Sequence, residues 1–582
     1  MLVRGRIIPL HHSEYDAELI MRIWHLLDKC SYQFRRKIIL QYLIPLIGII
    51  AITILLQIAW IPGNRTLGND SGLFAYIGRQ ILAGGRLYID VFDHKTPGIY
   101  YINALAFTLF GDSMWSIWIL GTIWLSLAAS LLYLVLHTKV HTIPAFLAVQ
   151  VFLYSVHYPE YYQGGNLTEV YVLLPQVLMI TATAAYSHSR KQVWLLLLGF
   201  FAGLSVLLKP TFFGIGLAVA LVLLFQDISM RTWKEAFSNG IRVLVGLFLP
   251  LGIVISLSLA NQTFRDLWYA TAVFNFQYSH PAASLQSIYG VLRKLFIVPP
   301  LSYMNVIALG GAVSIFLSYI WKMGRSDTDV SYTYRNSKNL HKGLEKDPFF
   351  FCMLIALLIE WGLLFISGRS YGHYFITTFS TMSVCVAYLM DSFPIILSGI
   401  RTKDLASGVL GMVVVALFLM WGIEVSIKNL PSGTEIQNFI RGDINRDYRL
   451  EPVVQYIVEN TDPQDPIYIW DDHAEMYYLS NRQSQSRFLY ATHLLIPGVD
   501  HDDHFSILLS ELNDEPPSLI LTQPNSGVGV PYLGASIEDV CRAVSSGVCP
   551  GIQELRSFLE DNYEFSAEVG TWHVYSRVNP LP

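Results

Sequence analysis

A multi-spanning α-helical membrane protein of about eleven transmembrane helices, followed by a small C-terminal extracytoplasmic α/β domain, is the fold this sequence predicts. Three observations predict it. The 582 residues are 53% hydrophobic and only 14% charged, whereas a soluble globular domain carries about 25% charged residues. Long apolar runs recur along the first three quarters of the chain. Beyond residue 424 the texture changes, and short apolar or alternating segments replace the long runs.

The apolar runs fall near 38–60, 113–136, 142–157, 168–186, 192–208, 211–227, 243–260, 297–320, 349–367, 372–390 and 405–424. At about 1.5 Å rise per residue most of them reach across a hydrocarbon core of about 30 Å, with 142–157 and 211–227 marginal. The first run is too long for the apolar core of a cleavable signal and reads as a retained span. Residues 1–37 are then an N-terminal segment, 38–424 a membrane domain with a first outer loop at 61–112, and 425–582 a soluble domain.

Basic residues set the orientation. Arg22, Lys29, Arg35, Arg36 and Lys37 precede the first run; Lys139, Arg190 and Lys191 follow the second and fourth; Arg231, Lys234 and Arg242 separate the sixth and seventh. Lys322, Arg325, Arg335, Lys338, Lys342 and Lys346 follow the eighth run, and Arg401 and Lys403 the tenth. All lie on one side if the N-terminus is cytoplasmic, and an odd span count then puts the C-terminal domain outside. The expected location is a plasma (inner) membrane.

In the tail, PIYIW (466–470) and PSLILTQ (517–523) read as buried strands, IQELRSFLEDNY (552–563) as an amphipathic helix and TWHVYSR (571–577) as a closing strand. Cys541 and Cys549 are close enough for a local disulfide in an extracytoplasmic domain, while Cys30, Cys352 and Cys385 make no metal-ligand pattern. The net charge of −5 gives no reason to expect a nucleic-acid partner. No P-loop, dinucleotide glycine pattern or HExxH motif occurs, so no nucleotide cofactor is expected.

The polar residues of interest cluster in the outer loops. In NDSGLFAYIGRQILAGGRLYIDVFDHKTPGIYYI (69–102), a helix over 73–84 would lie along the membrane surface with Leu73, Ile77 and Ile81 on one face. Asp70 and Ser71 precede it, as N-caps or as a carboxylate aimed at a pocket. DHKTPG holds Asp93, His94 and Lys95, and the lysine either snorkels to headgroups or holds a phosphate. Lys209 stands between two spans in LLKPTFFG, where a charge faces protein, water or a ligand. Asn166 and Glu169 have capping-box spacing at the start of the fourth run. Arg369, Tyr371, His373 and Tyr374 stand in GRSYGHYF; aromatic belts account for the tyrosines but not for the arginine and histidine. In the tail, Asp471, Asp472, His473 and Glu475, and the HDDH run at 501–504, offer metal-binding residue types that equally suit solvated helix starts. The outer face thus carries carboxylates (Asp70, Asp93, Glu169) and cations (Lys95, Lys209, Arg369) beside lipid, which suits a phosphate-bearing amphiphile.

The order of a span, a short loop with Asp70, GRQILAGGRLY and then DHKTPGIYY resembles the GT-C glycosyltransferases that use polyprenyl-phosphate-linked sugars. The pattern is similar to protein O-mannosyltransferase-like and lipid A aminoarabinose transferase-like enzymes. It extends over 38 to about 390, with LLKPTFFG and GRSYGHYF in support. The resemblance implies an inverting hexosyl- or pentosyltransferase acting on the extracytoplasmic face, with Asp70 at the reaction centre and Lys95 in the family's lysine position, although Thr96 replaces a proline. Lys95, Lys209 and Arg369 would hold the donor phosphate; Asp93, His94, Glu169, Tyr371, His373 and Tyr374 would support the site or orient the acceptor. The implied partners are a polyprenyl-phosphate-sugar donor, membrane lipids and an envelope lipid, glycan or protein acceptor. The family often carries two acidic residues in this loop, whereas Ser71 follows Asp70, so Asp93 or Glu169 would supply a second carboxylate and a divalent cation stays possible. A transporter or flippase of an amphiphilic envelope precursor, with Lys209-Pro210 at a broken helix, and a noncatalytic envelope scaffold are the alternatives.

Overall fold

The structure, a computed structural model, describes residues 36–62, 64–229, 232–279, 285–323, 348–366, 369–400, 405–441, 452–496, 501–527, 529–545 and 547–578. Cys30, Arg22, Lys29, Arg35, Arg231, Arg401, Lys403 and the basic residues of 325–346 lie outside them.

Each predicted apolar run coincides with a helix: Ile44–Ile58, Met114–His137, Thr142–Val156, Leu173–Ser189, Val193–Val206, Gly214–Ser229, Trp233–Ala260, Leu301–Met323, Phe349–Leu363, Phe379–Ile400 and Leu405–Asn429. Five segments of the described residues are long and apolar enough to cross a membrane by themselves: Arg36–Ile58, Met114–His137, Thr168–Ser189, Trp233–Ala260 and Leu301–Ile320. The helix expected from residue 372 starts at Phe379, because Gly372–Thr378 forms a 3-10 helix. Gly98–Phe110 is a further apolar helix, too short at 13 residues to span.

These helices expose apolar side chains that water would not tolerate in such numbers. Trp233–Ala260 leaves Leu244, Val245, Phe248, Leu249, Ile253 and Leu257 open on its outer face, a contiguous apolar surface that fits lipid. Its inner face meets Val193–Val206 backbone to backbone. A Cβ at Gly199 would strike Val243 O, and one at Gly246 would strike Leu196 O, so only small residues permit the contact, as is usual between membrane helices.

The C-terminal domain carries a four-stranded mixed sheet in the order β1 (Ile467–Trp470), β2 (Leu519–Thr522), β4 (Trp572–Arg577), β3 (Tyr563–Val569). β1 and β2 run parallel, and the other two pairs antiparallel. The Cys549–Asn562 helix packs against β3 and the His501–Asp514 helix, and Cys541 is bridged to Cys549. Three strands match the sequence reading. β3 was missed, because YEFSAEV exposes most of its residues and lacks a buried run.

Most of the membrane helices share one core, and the soluble domain shares a second with the first outer loop and with Met114, Ile117, Leu208 and Phe212 of the membrane domain. Leu73, Phe74, Tyr76, Ile77, Tyr100 and Phe107 pack in one apolar cluster with Trp470, Tyr477, Leu489 and Tyr490. The loop is therefore the floor on which the soluble domain stands.

Candidate active site

Asn69–Leu82 is the observed form of the first-loop helix. Its N-cap is Gly68, with no side-chain cap bond. Asp70 and Ser71 consequently sit inside the first turn, which corrects the expectation that either caps it. The carboxylate of Asp70 lies instead near the partial positive charge of the helix N-terminus. The helix is enclosed by protein: Ser71 through Gly78 are all buried, because Gly98–Phe110 packs on one side and the soluble domain's Glu475–Ser480 helix on the other. Gly72 makes this approach possible, since a Cβ there would overlap Glu475.

The chain then turns through Arg86–Asp90, an exposed ion pair at 2.9 Å, and delivers DHKTPG beneath Asp70. Asp93 is fully buried. It accepts hydrogen bonds from the Tyr100 hydroxyl at 2.7 Å and the His94 backbone N–H at 2.7 Å. Lys95 Nζ lies 3.8 Å from Asp93 Oδ2 and 3.5 Å from Asp70 Oδ1, 5.0 Å from the centre of the Phe74 ring. Burial favours a neutral Asp93, but Lys95, His94 and His493 outweigh it and hold the carboxyl well below its ordinary range. Burial likewise opposes the Lys95 ammonium, and Asp70 and Asp93 overcome it, so its pKa is raised. Lys95 is thus a fixed cation between two carboxylates.

The remaining predicted residues gather around this pair. Lys209 Nζ donates to Glu169 Oε1 at 2.9 Å and sits 3.4 Å from the centre of the Tyr374 ring. Glu169 also accepts from the Thr168 hydroxyl. The N-cap of this turn is Leu167 and has no side-chain cap bond; the proposed capping box is absent because Asn166 is hydrogen-bonded to Asn103 and to Ser71 O. Arg369 stacks on Tyr278 at 4.5 Å and donates to the Tyr371 hydroxyl at 3.2 Å. His373 packs edge-on against Tyr374; its pKa is lowered by burial, against the pull of Glu169 and Asp70. A small cleft of about 20 Å³ opens beside Lys209, lined by Phe212, Leu363, Leu364, Tyr374 and Thr377 with Glu360.

The soluble domain supplies groups that the sequence reading did not single out. Tyr490 donates to Asp70 Oδ1 at 3.1 Å, and His493 Nε2 meets His94 Nδ1 at 3.1 Å. Nothing in FLYATH announces this by periodicity or motif. Asp472 was noticed only as part of a metal-like run. It accepts from Thr492 N–H at 3.0 Å and Thr492 Oγ1 at 2.5 Å, while Asp471 accepts from Ser526 and His473 pairs with Glu475, so this run does not converge on one point. Among the described residues, the donors that do converge are Asp93, His94 and His493, whose ligand atoms lie within 4.8 Å of one another. Imidazoles and a carboxylate suit zinc, and burial keeps His493 neutral by lowering its pKa to about 3. The Lys95 ammonium beside Asp93 works against a cation there.

This architecture is a GT-C-like membrane fold carrying a C-terminal domain. Residues 94–255 match the family model described as dolichyl-phosphate-mannose-protein mannosyltransferase, and residues 449–527 match that of the competence-induced protein Ccs4 C-terminal domain. Among solved structures, the chain is similar to ArnT from Cupriavidus metallidurans bound to undecaprenyl phosphate, with TM-score 0.54 and 12% identity over 91% of this chain and 98% of that one. The apo form of the same ArnT aligns with TM-score 0.41 at 12% identity, over 91% and 97% of the two chains. No curated protein matches the chain.

Proposed function

We propose that the protein is an inverting glycosyltransferase that moves a sugar from a polyprenyl-phosphate donor to an envelope lipid, glycan or protein on the extracytoplasmic face of a plasma membrane. The observation that carries this reading is the Asp70–Lys95 pair, 3.5 Å apart, set among Lys209, Arg369 and a cleft, in a fold similar to one crystallised with undecaprenyl phosphate. Eleven spans with a cytoplasmic N-terminus and residues 425–582 outside accompany the proposal, and the disulfide between Cys541 and Cys549 suits an oxidising compartment.

The chemistry follows from the geometry. The acceptor hydroxyl gives its proton to Asp70 while its oxygen bonds to the sugar's anomeric carbon from the face opposite the phosphate. The bond from that carbon to the phosphate oxygen breaks, and polyprenyl phosphate leaves with the electron pair. Lys95, between Asp70 and Asp93, meets the negative charge gathering on the departing oxygen, and Arg369 and Lys209 extend the cationic surface; preorganised charges in a site shielded from water act strongly. Each of these cations is also held by the protein, Lys209 by Glu169, Lys95 by Asp70 and Asp93 and Arg369 by Tyr278 and Tyr371. Asp93, His94, Glu169, Tyr371, His373 and Tyr374 hold these groups in place and face the acceptor. A transporter site would sit nearer the membrane midplane, whereas these groups crowd the end of the helices next to the soluble domain.

Transfer of radiolabelled sugar from polyprenyl-phosphate donors, in extracts of the host's envelope lipids and glycans, tests the proposal. Asp70→Asn should lower transfer at least about a hundredfold relative to wild type. Undiminished transfer by that variant would overturn the role of Asp70, and no transfer by wild type from any donor would overturn the reaction itself.

A further inference from the structure

Among its contacts with the first outer loop, the soluble domain reaches the Asp70 carboxylate itself through a side-chain hydrogen bond. Tyr490 Oη donates to Asp70 Oδ1 at 3.1 Å across 420 residues of sequence. Tyr490 is itself buried, and the chain on both sides of it is tied to the first outer loop. Upstream, Phe92 N–H donates to Arg487 O at 2.8 Å and Phe92 pairs with Phe488 in a parallel bridge. Downstream, His493 meets His94. On the Asp70 side, Asn69 Nδ2 donates to Asp472 O at 2.8 Å. Neither partner of the Tyr490–Asp70 bond is on a loose segment.

The choice of oxygen matters. Among the described residues, both side-chain partners of Asp70, Tyr490 and Lys95, approach Oδ1. Oδ2 carries neither of these contacts, and about a third of the Asp70 side chain is exposed. A carboxylate anchored through one oxygen presents the other in a fixed direction, which general-base catalysis needs.

We infer that Tyr490 is the positioning residue for Asp70, so that the soluble domain completes the active site and does more than bind an acceptor. This rests on the proposed reaction, in which Asp70 is the base.

Tyr490→Phe removes the hydroxyl and keeps the ring. It should lower kcat about tenfold to a hundredfold, the range for a hydrogen bond to a charged group, with KM for the donor little changed. A bond to the ionised form favours that form, so losing it moves the acidic limb of the kcat/KM profile to higher pH. Lys95, His94, Asp472, His373, Tyr100 and Tyr374 also face Asp70 and are unaltered in this variant. In the Asp70→Asn background the same change should have no further effect. A detergent melting curve and replacement of Tyr490 by 3,5-difluorotyrosine, a stronger donor of the same shape, separate this from misfolding; the fluorinated protein should shift the limb to lower pH.

A wild-type kcat and pH profile in Tyr490→Phe would overturn the inference while leaving the reaction standing. A full additional loss on top of Asp70→Asn would also overturn it, because Tyr490 would then act elsewhere. Wild-type activity in Asp70→Asn would instead remove the reaction scheme beneath it.

Discussion

Lys95 lies within 4 Å of two carboxylates, 3.5 Å from Asp70 and 3.8 Å from Asp93, so its removal has two consequences. Lys95→Met leaves Asp93 buried without its nearest cation and takes a charge from the donor phosphate. Transfer should fall about 10²- to 10³-fold. Stability in detergent should fall too, by less than the about 3–5 kcal/mol of a fully buried broken pair, since Lys95 and Asp70 are partly exposed, and the melting temperature should drop with it; unchanged transfer would remove Lys95 from phosphate binding. Asp472 makes a prediction of opposite kind. Burial pushes its pKa up to about 6, above the unfolded value of about 3.9. The folded state therefore binds the extra proton, and this group's stabilisation is complete below about pH 4 and lost as pH rises through about 6. Asp472→Asn should flatten the fall in melting temperature between those pH values, and an unaltered slope would show that Asp472 does not titrate in this window.

At the scale of elements, the Asn69–Leu82 helix is where two bodies meet. Its sequence reads as an ordinary amphipathic helix, yet it is buried from Ser71 to Gly78. Arg79 secures its far end, pairing with Asp112 and donating to Asn481 Oδ1 at 2.9 Å. Near Asp70, Gly72 lets Glu475 approach. Gly72→Ala should cost about 1–3 kcal/mol through overpacking and lower transfer as well, because Asp70 moves with the first turn. Gly422→Ala, in a membrane helix with open space around the glycine, is the matched control and should leave both unchanged. Equal melting temperatures for the two variants would contradict the close contact.

For the whole molecule, the proposed topology predicts which face each segment meets. In a variant with Cys30, Cys352 and Cys385 replaced by serine and the Cys541–Cys549 bridge retained, Glu564→Cys should react with a membrane-impermeant maleimide on intact cells. Lys191→Cys should react only after permeabilisation. Both positions are exposed, so the reverse pattern would invert the orientation, and labelling of both from outside would contradict the seven spans predicted between them.

Among the described residues, helices at the predicted apolar runs, three of the four strands and the placement of Asp70, Lys95, Lys209 and Arg369 as charges beside apolar segments were legible in the sequence. The reason is that each depends on a one-dimensional quantity: apolar length against bilayer thickness, strand alternation, or a charge out of place beside lipid. What only the tertiary structure decided is which of these groups meet. Gly68 took the cap from Asp70 because its backbone, not its side chain, opens the helix, and Lys209 turned out to be paired with Glu169. Above all, Tyr490 and His493 came to the first loop from some 400 residues away. Their placement follows from the shared apolar core of the loop and the soluble domain, and long-range packing of that kind leaves no periodic mark on either segment.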